Sequence, residues 1–509
     1  MKKIKHLKRK IFVSISSFLG CGMLVSCYGM PRDESEYIYS LVMYGSPVVQ
    51  NDFIDGVVYD DKNENDRFDA GEGISGIQFK LSKDGKVEKT DVTDENGEFK
   101  FEYVSGQNGS LELEFTDPNG LYESQKKEIS SIDKKSFLEI ELKKMSFRNF
   151  LFRLYRAREI KKHQLDYLFW ECTLKCNLNC LHCGSDCTKD SDVPDMPVAD
   201  FVKVLDDIKI NGKIKTLSVC ITGGEPLIRK DIEVAGREII SRGYNWGIVT
   251  NGMLFTAERF VSLLNAGMRS MSFSIDGFEE QHTYLRQNPV SYKKVTDAID
   301  VVVDFQKSNP NYFLFDVITC VHKKNLKILK ELRNDLIRRG VVNWRIFSIF
   351  PEGRAGENDL SLSPDEYKEL MDFIAETRKY RTEDGKFIRL NYSCEGYLGD
   401  YELKVRDFFF FCRAGINVGS VMCDGSISAC LSVRSPDFIQ GNIYDERHQV
   451  ANSFSEIWNN RYQVMRDRNW ARQGKCRKCK KWKHCLGNGM HLHHDRLSDV
   501  AHCNYELLK

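Results

Sequence analysis

Three cysteines crowd one short stretch of the chain, Cys176-x3-Cys180-x2-Cys183. Thiolates are soft ligands that select iron–sulfur clusters, zinc or copper(I). A single loop that supplies three of them leaves one corner of a four-metal cube free for an exogenous ligand. A zinc knuckle one ligand short, or three buried cysteines that are merely neighbours, would use the same residues. A second set lies far along the chain: Cys412 and Cys430, then Cys476-x2-Cys479-x5-Cys485, then Cys503. Of 17 cysteines only Cys21 and Cys27 precede residue 172, and grouped Cys-x2-Cys spacings in an enzyme-sized chain indicate metal rather than a disulfide framework. Between the two sets stand Thr222-Gly223-Gly224-Glu225-Pro226, Thr250-Asn251-Gly252 and Ser274-Ile275-Asp276-Gly277. Glycines without Cβ let a backbone approach a ligand closely. Arg286 could pair with a carboxylate, or be a solvated surface arginine.

These residues need elements to hold them. At 509 residues the chain allows roughly three domains. From Leu168 to about Tyr380 strands and helices alternate, the pattern of a parallel α/β sheet. The strands are expected at 168–174, 216–221, 246–250, 270–275, 313–321 and 344–350. The glycine motif and the polar groups after it fall at the C-terminal strand ends, where barrels place their chemistry. With 74 basic and 73 acidic residues the net charge is +1, which does not favour a nucleic-acid partner.

The front of the chain has a different character. Lys2, Lys3, Lys5, Lys8, Arg9 and Lys10 precede an apolar stretch, Ile11 to Val25, too short to span a bilayer comfortably. It ends in Leu24-Val25-Ser26-Cys27, which resembles the lipobox of bacterial lipoproteins, with Cys27 lipidated; a plain signal peptide or a buried helix is the alternative. Residues 1–27 are therefore expected to be a signal peptide, 28–51 a linker and 52–143 a small all-β domain. In that domain Ile77, Phe79 and Leu81 alternate with polar residues, as do Phe99, Phe101 and Tyr103, and Asn96-Gly97 is a hairpin turn signal. Asp61, Asn63, Asn65, Asp69 and Glu72 have EF-hand spacing, a calcium-type oxygen set, although position six is Asp66 instead of Gly. A solvated acidic loop without metal fits equally. The segment from Gly56 to Val104 resembles the calcium-binding B-type repeats of bacterial surface adhesins. Residues 144–165 follow as a basic linker helix, with Phe147, Phe150, Leu151 and Leu154 on one face and Arg148, Arg153, Arg156 and Arg158 elsewhere. It would pack on the next domain or lie on a membrane surface. Met145 could start a separate enzyme, which would make that enzyme cytoplasmic; an intact signal would make the chain a membrane-anchored lipoprotein.

With His182 just before the third thiol and the apolar run Leu168-Phe169-Trp170 ahead of it, the cysteine loop resembles that of radical S-adenosylmethionine (radical SAM) enzymes. The resemblance implies a 4Fe–4S cluster on Cys176, Cys180 and Cys183 that cleaves SAM reductively to a 5′-deoxyadenosyl radical. It implies a partial (β/α)6 TIM-like barrel over residues 166–385. It also implies that Gly223, Gly224, Glu225 and Pro226 hold the methionyl amino group, and that Ser274 and Asp276 contact the ribose and carboxylate of SAM. Ser348, Pro351 and Gly353-Arg354-Ala355 resemble the peptide-modifying branch of the family.

Residues 386–509 resemble the SPASM extension, which carries auxiliary 4Fe–4S clusters. Cys412, Gly425 and Cys430, the Cys476-Cys479-Cys485 group, Gly441-Asn442-Ile443 and Glu456-Ile457-Trp458 carry that likeness. It implies one complete cluster on Cys476, Cys479, Cys485 and Cys503. The cluster of Cys412 and Cys430 lacks a ligand, because Gly489 stands four positions after Cys485, where the family has cysteine. Cys394, Cys423, one of the five tail histidines (His484, His491, His493, His494, His502) or an open iron site would complete it. Zinc at Cys476-x2-Cys479 is the competing reading.

The resemblance further implies a peptide or protein substrate, in some bacteria a paired lipoprotein, and an electron donor such as flavodoxin or ferredoxin. The exported front half leaves a different class open: a non-catalytic surface lipoprotein whose clusters carry electrons or bind a partner. Cys27-Tyr28-Gly29-Met30-Pro31 and Met43-Tyr44-Gly45-Ser46-Pro47 share Tyr-Gly-x-Pro and are candidate substrate segments in the same chain.

Overall fold

The computed structural model describes residues 53–63, 67–102, 110–129, 137–144, 147–393, 396–444 and 453–509. The expected signal, its lipidated Cys27, the linker with its two Tyr-Gly-x-Pro segments, Asn65, Asp66, Tyr103, Met145 and Cys394 lie outside them. The described chain divides into two compact units, one reaching Ala157 and including Cys479–Lys483, the other comprising Arg158–Lys478 and His484–Lys509.

The first unit is an all-β sandwich. Its strands are β1 (Phe53–Tyr59), β2 (Gln78–Lys83), β3 (Lys86–Val92), β4 (Glu98–Glu102), β5 (Leu111–Thr116), β6 (Gln125–Ile129) and β7 (Leu138–Glu141). They form a sheet of order β4-β1-β7 and a second of order β3-β2-β5-β6. Period-two alternation turns Phe79 and Leu81 of β2 and Leu111, Leu113 and Phe115 of β5 inward, onto Val58, Phe99, Phe101 and Ile140. Asn96-Gly97 does not close a hairpin, since β3 and β4 lie in different sheets. The turn hands the chain from one sheet to the other: Gly97 (φ +81°) donates to Asp94 O, and Glu98 N donates to Asp94 Oδ1.

The acidic loop is knitted to itself. Glu72 is buried and accepts from Lys62 N and Asp69 N, both at 3.0 Å, while Asn63 Nδ2 donates to Asp69 Oδ2 at 2.7 Å. Loop amides and an asparagine thus take carboxylate oxygens that calcium would use, and calcium finds no support here.

Phe101 lies edge-on to Phe79, with ring centroids 4.7 Å apart, and is fully enclosed. Phe101→Ala is therefore expected to lower the opening free energy of this unit by about 3–5 kcal/mol. Amide exchange across Gln78–Lys83 and Leu111–Thr116 in the full chain would read the loss. Unchanged protection there would contradict it.

The linker helix runs over Phe147–Lys162, but its buried stripe differs from the expected one. Phe152, Arg156 and Glu159 are enclosed and Leu154 is half exposed. Two charged residues can occupy this stripe because they have partners. Arg156 sits over the Phe152 ring, and Glu159 Oε2 accepts from Asn417 Nδ2 at 3.1 Å.

The second unit is organised on one ten-stranded sheet. Seven parallel strands, β8 (Tyr167–Thr173), β9 (Ser218–Gly223), β10 (Asn245–Thr250), β11 (Ser270–Ser274), β12 (Leu314–Val321), β13 (Asn343–Ser348) and β14 (Arg389–Tyr392), lie in sequential order. The six expected strands are present within a few residues. The seventh, β14, is short and polar and lies beyond the barrel end expected at 385. At the other edge β15 (Val418–Val421) pairs in parallel with β8, and β16 (Ser426–Ser428) and β17 (Gly441–Asn442) extend it antiparallel. The boundary expected at residue 385 therefore does not divide the sheet. Strand apolar runs such as Trp170, Ile221, Ile248, Phe273 and Ile346 face the helices in one core. Each helix brings a buried stripe, as in Pro364–Thr377, where Tyr367, Leu370, Met371 and Ile374 recur at helical spacing after a Ser363/Glu366 capping box. Among the described residues no helix is long and apolar enough to cross a membrane.

Candidate functional site

The C-terminal ends of β8 to β13 converge on the first cysteine loop. The loop leaves β8, and Cys176 N is tied to Thr188 O at 2.8 Å. Cys176, Cys180 and the unanticipated Cys187 are buried together with Leu178, and Cys183 packs against them. Burial pushes the Cys176 thiol up to about 12 and raises Cys180, which Arg286 opposes. Cys183 is held below the ordinary thiol range, first by its interaction with the Cys187 thiol and further by the Arg354 cation. Thiolate is the form in which cysteine binds metal, and the cations of Arg286 beside Cys180 and Arg354 beside Cys183 favour it.

The two glycines after β9 are required by packing. A Cβ on Gly223 (φ +142°) would run into Thr173 O, and one on Gly224 would strike Lys175 O and lie 3.1 Å from Cys176 Cβ. Their absence lets Gly224 N donate to Thr173 O and Glu225 N to Lys175 O, so this motif is stitched to the cysteine loop. Glu225 is enclosed, and its carboxyl is occupied by Thr250 Oγ1 (2.7 Å), Asn251 N (2.8 Å) and Leu227 N (3.0 Å). Burial raises its pKa against those hydrogen bonds. Pro226 then opens a single turn, Pro226–Ile228. Asn251 is the residue whose weight the sequence did not convey. Its amide reaches Asn177 Oδ1 at 2.8 Å and Cys176 Sγ at 3.9 Å, joining β10, the cysteine loop and Glu225.

Ser274, the last residue of β11, is half-buried, whereas Asp276 just beyond it is completely enclosed. Asp276 Oδ2 accepts from Arg286 Nε at 2.6 Å and Oδ1 from Cys320 N at 2.8 Å. Its carboxylate is committed to the protein and supports Arg286, instead of being free for the ribose or carboxylate of SAM. Arg286 is not a solvated surface arginine. It is buried, and Nη1 points to Cys180 Sγ at 3.8 Å. Burial alone would raise the Asp276 pKa, but Arg286 overrides it and holds the group at about 2. His182, half-buried beside this pair, is pushed down to about 3, chiefly by burial and then by Arg286; its Nδ1 has no hydrogen-bond partner.

Beyond β13, Ser348 Oγ hydrogen-bonds Tyr392 Oη at 2.8 Å. Gly353 and Arg354 clamp the cysteine loop from above. Arg354 N donates to Cys183 O, Nε to Cys180 O at 2.9 Å and Nη1 to Asp186 at 2.7 Å. A Cβ on Gly353 (φ +55°) would sit 2.5 Å from Cys183 O. With three thiols beside two buried or clamped guanidiniums, the donor set fits an anionic, thiolate-held iron–sulfur cluster. Among the described residues no three His, Cys, Asp or Glu side chains converge on a single-ion position.

The second set is partly assembled. The cation of buried Arg468 lies beside the Cys412, Cys485 and Cys476 thiols, which raise its pKa while burial lowers it further. Cys412 Sγ accepts from Met490 N at 3.4 Å, and Cys485 Sγ from Asn488 N at 3.1 Å. Cys430 packs against the same core as Cys412, and Cys503 is half-buried. Cys479 falls in the segment grouped with the first unit. Cys423 is not placed with Cys412. Its thiol donates to Pro194 O at 3.4 Å, and its backbone N donates to Glu171 of β8.

Three segments of the chain match known protein families. Residues 170–336 match the radical SAM superfamily, 412–480 the SPASM iron–sulfur cluster-binding domain and 53–142 the SdrD B-like domain. The chain is 27% identical over 336 residues to the AdoMet-dependent heme synthase of Methanosarcina barkeri, covering 62% of this chain and 89% of that protein. Two further heme synthases are spanned over 52% and 55% of their length. The mycofactocin maturase MftC of Mycolicibacterium smegmatis is 24% identical over 326 residues, 64% of this chain and 77% of its own. Among solved structures, anSMEcpe with bound AdoMet and Cp18Cys peptide superposes with a TM-score of 0.51 at 18% identity, covering 67% of this chain and 93% of that one.

Proposed function

We propose that this radical SAM enzyme, whose barrel sheet continues into a SPASM iron–sulfur domain, modifies a peptide or protein. The observation that carries the reading is the convergence of the cysteine loop, Gly223–Glu225, Asn251 and Ser274 on one end of the sheet, stitched by Gly224 N, Glu225 N and Asn251 Nδ2. A 4Fe–4S cluster on Cys176, Cys180 and Cys183 would supply one electron to SAM, so that its S–C5′ bond breaks into methionine and a 5′-deoxyadenosyl radical. The chain's own part is to place and shield. The backbone ends at Gly223–Pro226 receive the methionyl group of SAM. Ser274 supplies a polar contact at the neighbouring strand end. Arg286, held in place by Asp276, sets a fixed positive charge beside Cys180. The polypeptide substrate takes support from the likeness to a maturase and from the peptide bound to anSMEcpe.

The likeness to heme synthases favours a second reading, with a tetrapyrrole as substrate. One experiment separates the readings. The full chain, anaerobically reconstituted and reduced with dithionite, is given SAM and a deuterated peptide spanning residues 27–52. The expected result is 5′-deoxyadenosine carrying deuterium and a peptide of altered mass. Deoxyadenosine without label or mass change would exclude these segments as substrate and direct attention to tetrapyrroles and other polypeptides. No deoxyadenosine would favour the non-catalytic lipoprotein.

A further inference from the structure

We propose that His491 is the third protein ligand of the auxiliary cluster on Cys412 and Cys430, in place of the thiolate that the SPASM pattern puts at position 489. The inference rests on the SPASM domain and not on the radical reaction.

Gly489 has φ −71° and ψ 148°, a conformation any L-residue adopts, so the backbone does not demand glycine there. The neighbouring side chain does. A Cβ at 489 would sit 2.6 Å from Cε1, 2.8 Å from Nδ1 and 3.5 Å from Nε2 of His491. The nitrogen-bearing edge of the imidazole therefore fills the space where the missing cysteine would begin. His491 Nε2 is enclosed and has no hydrogen-bond partner, an exception among buried polar atoms that a metal would remove. The ring also packs against Phe350, with centroids 4.7 Å apart. Cys412 belongs to the same corner, because its Sγ accepts from the amide of Met490, between Gly489 and His491.

Three of the other four tail histidines, all but His502, are engaged or exposed. His493 Nε2 is bonded to Gly487 O at 2.6 Å, His484 stacks on Tyr397 and His494 is exposed. The Cys423 thiol is on Pro194 O. Imidazole is an accepted iron–sulfur ligand and changes the potential of the cluster it binds.

The test uses the full-length chain with Cys176, Cys180 and Cys183 replaced by alanine, so that only the auxiliary clusters load. After reconstitution with iron and sulfide and reduction, pulsed EPR is expected to show nitrogen bound directly to iron. The pattern should change when histidine alone is 15N-labelled. It should disappear in His491→Ala, and Gly489→Cys/His491→Ala should keep its iron without any histidine coupling. The labelled parent chain needs no further variant. A loaded chain without histidine coupling, or coupling that survives His491→Ala, overturns the assignment. Iron loss in Cys394→Ala with no histidine signal would give the ligand to Cys394 instead. Failure to take up any C-terminal iron overturns it together with the SPASM reading, whereas failure to cleave SAM leaves it intact.

Discussion

Cys176→Ala is expected to end SAM cleavage altogether and to lower bound iron by about one cluster's worth, while the C-terminal clusters stay loaded. The independence follows from the architecture. Cys176 belongs to the loop leaving β8, whereas Cys412, Cys476 and Cys485 gather around Arg468. The loss should be complete because two protein thiolates leave a second iron corner exposed, and the Asn251 contact at 3.9 Å loses its partner. Iron analysis together with deoxyadenosine assay reads both halves. Undiminished cleavage would remove Cys176 from the site. Loss of all iron would mean that the two cluster sets do not load separately.

The second large effect concerns the buried Asp276–Arg286 pair. Asp276→Ala would strand a guanidinium in the interior, at a cost of about 3–5 kcal/mol. Asp276→Ala/Arg286→Met should recover much of that stability, since the stranded charge is gone, but not SAM binding if Arg286 also serves the cofactor. Urea unfolding and SAM affinity, measured side by side, distinguish a purely structural pair from a functional one. Equal recovery of both would make the pair structural only. The pH dependence has a definite sign. The folded carboxyl titrates at about 2, below its unfolded value near 4. Its stabilisation, about 2–3 kcal/mol, is therefore complete above pH 4 and is lost as pH falls through 2. Acid unfolding of the metal-free chain should show this step in the parent and lack it in the double variant.

Much of this was legible beforehand, and the misses have physical causes. The six long strands announce themselves because strands buried on both faces need apolar runs, as in Leu168-Phe169-Trp170 of Tyr167–Thr173 and Val219-Cys220-Ile221 of Ser218–Gly223. Arg389–Tyr392 and Val418–Val421 are four residues each, too short for a pattern, and they owe their existence to a sheet edge already present. Helix Phe147–Lys162 misled because its buried stripe contains Arg156 and Glu159, whose partners Lys483 O and Asn417 Nδ2 are distant in sequence. Arg286 misled similarly, since its burial rests on Asp276. The glycine pair was found for a reason that proved incomplete: its lost Cβ atoms make room for Thr173 and Lys175, so the motif is as much a joint between loops as a cradle. Among five tail histidines nothing in the letters singles out His491; only the space over Gly489 does.

The pairing of β15 with β8 also sets a timetable for synthesis. At roughly 5–20 residues per second, Val418 leaves the ribosome on the order of ten to fifty seconds after Thr173. Throughout that interval one edge of β8 has its backbone donors and acceptors unclaimed, with Leu168 and Trp170 on the same strand and the thiols of Cys176, Cys180 and Cys183 directly behind it. An open apolar edge is a template for pairing with other chains. The nascent enzyme is thus most exposed to aggregation and to oxidation of those thiols at the same moment, and a slower ribosome or a warmer cell would lower the yield of folded protein before any cluster could be inserted.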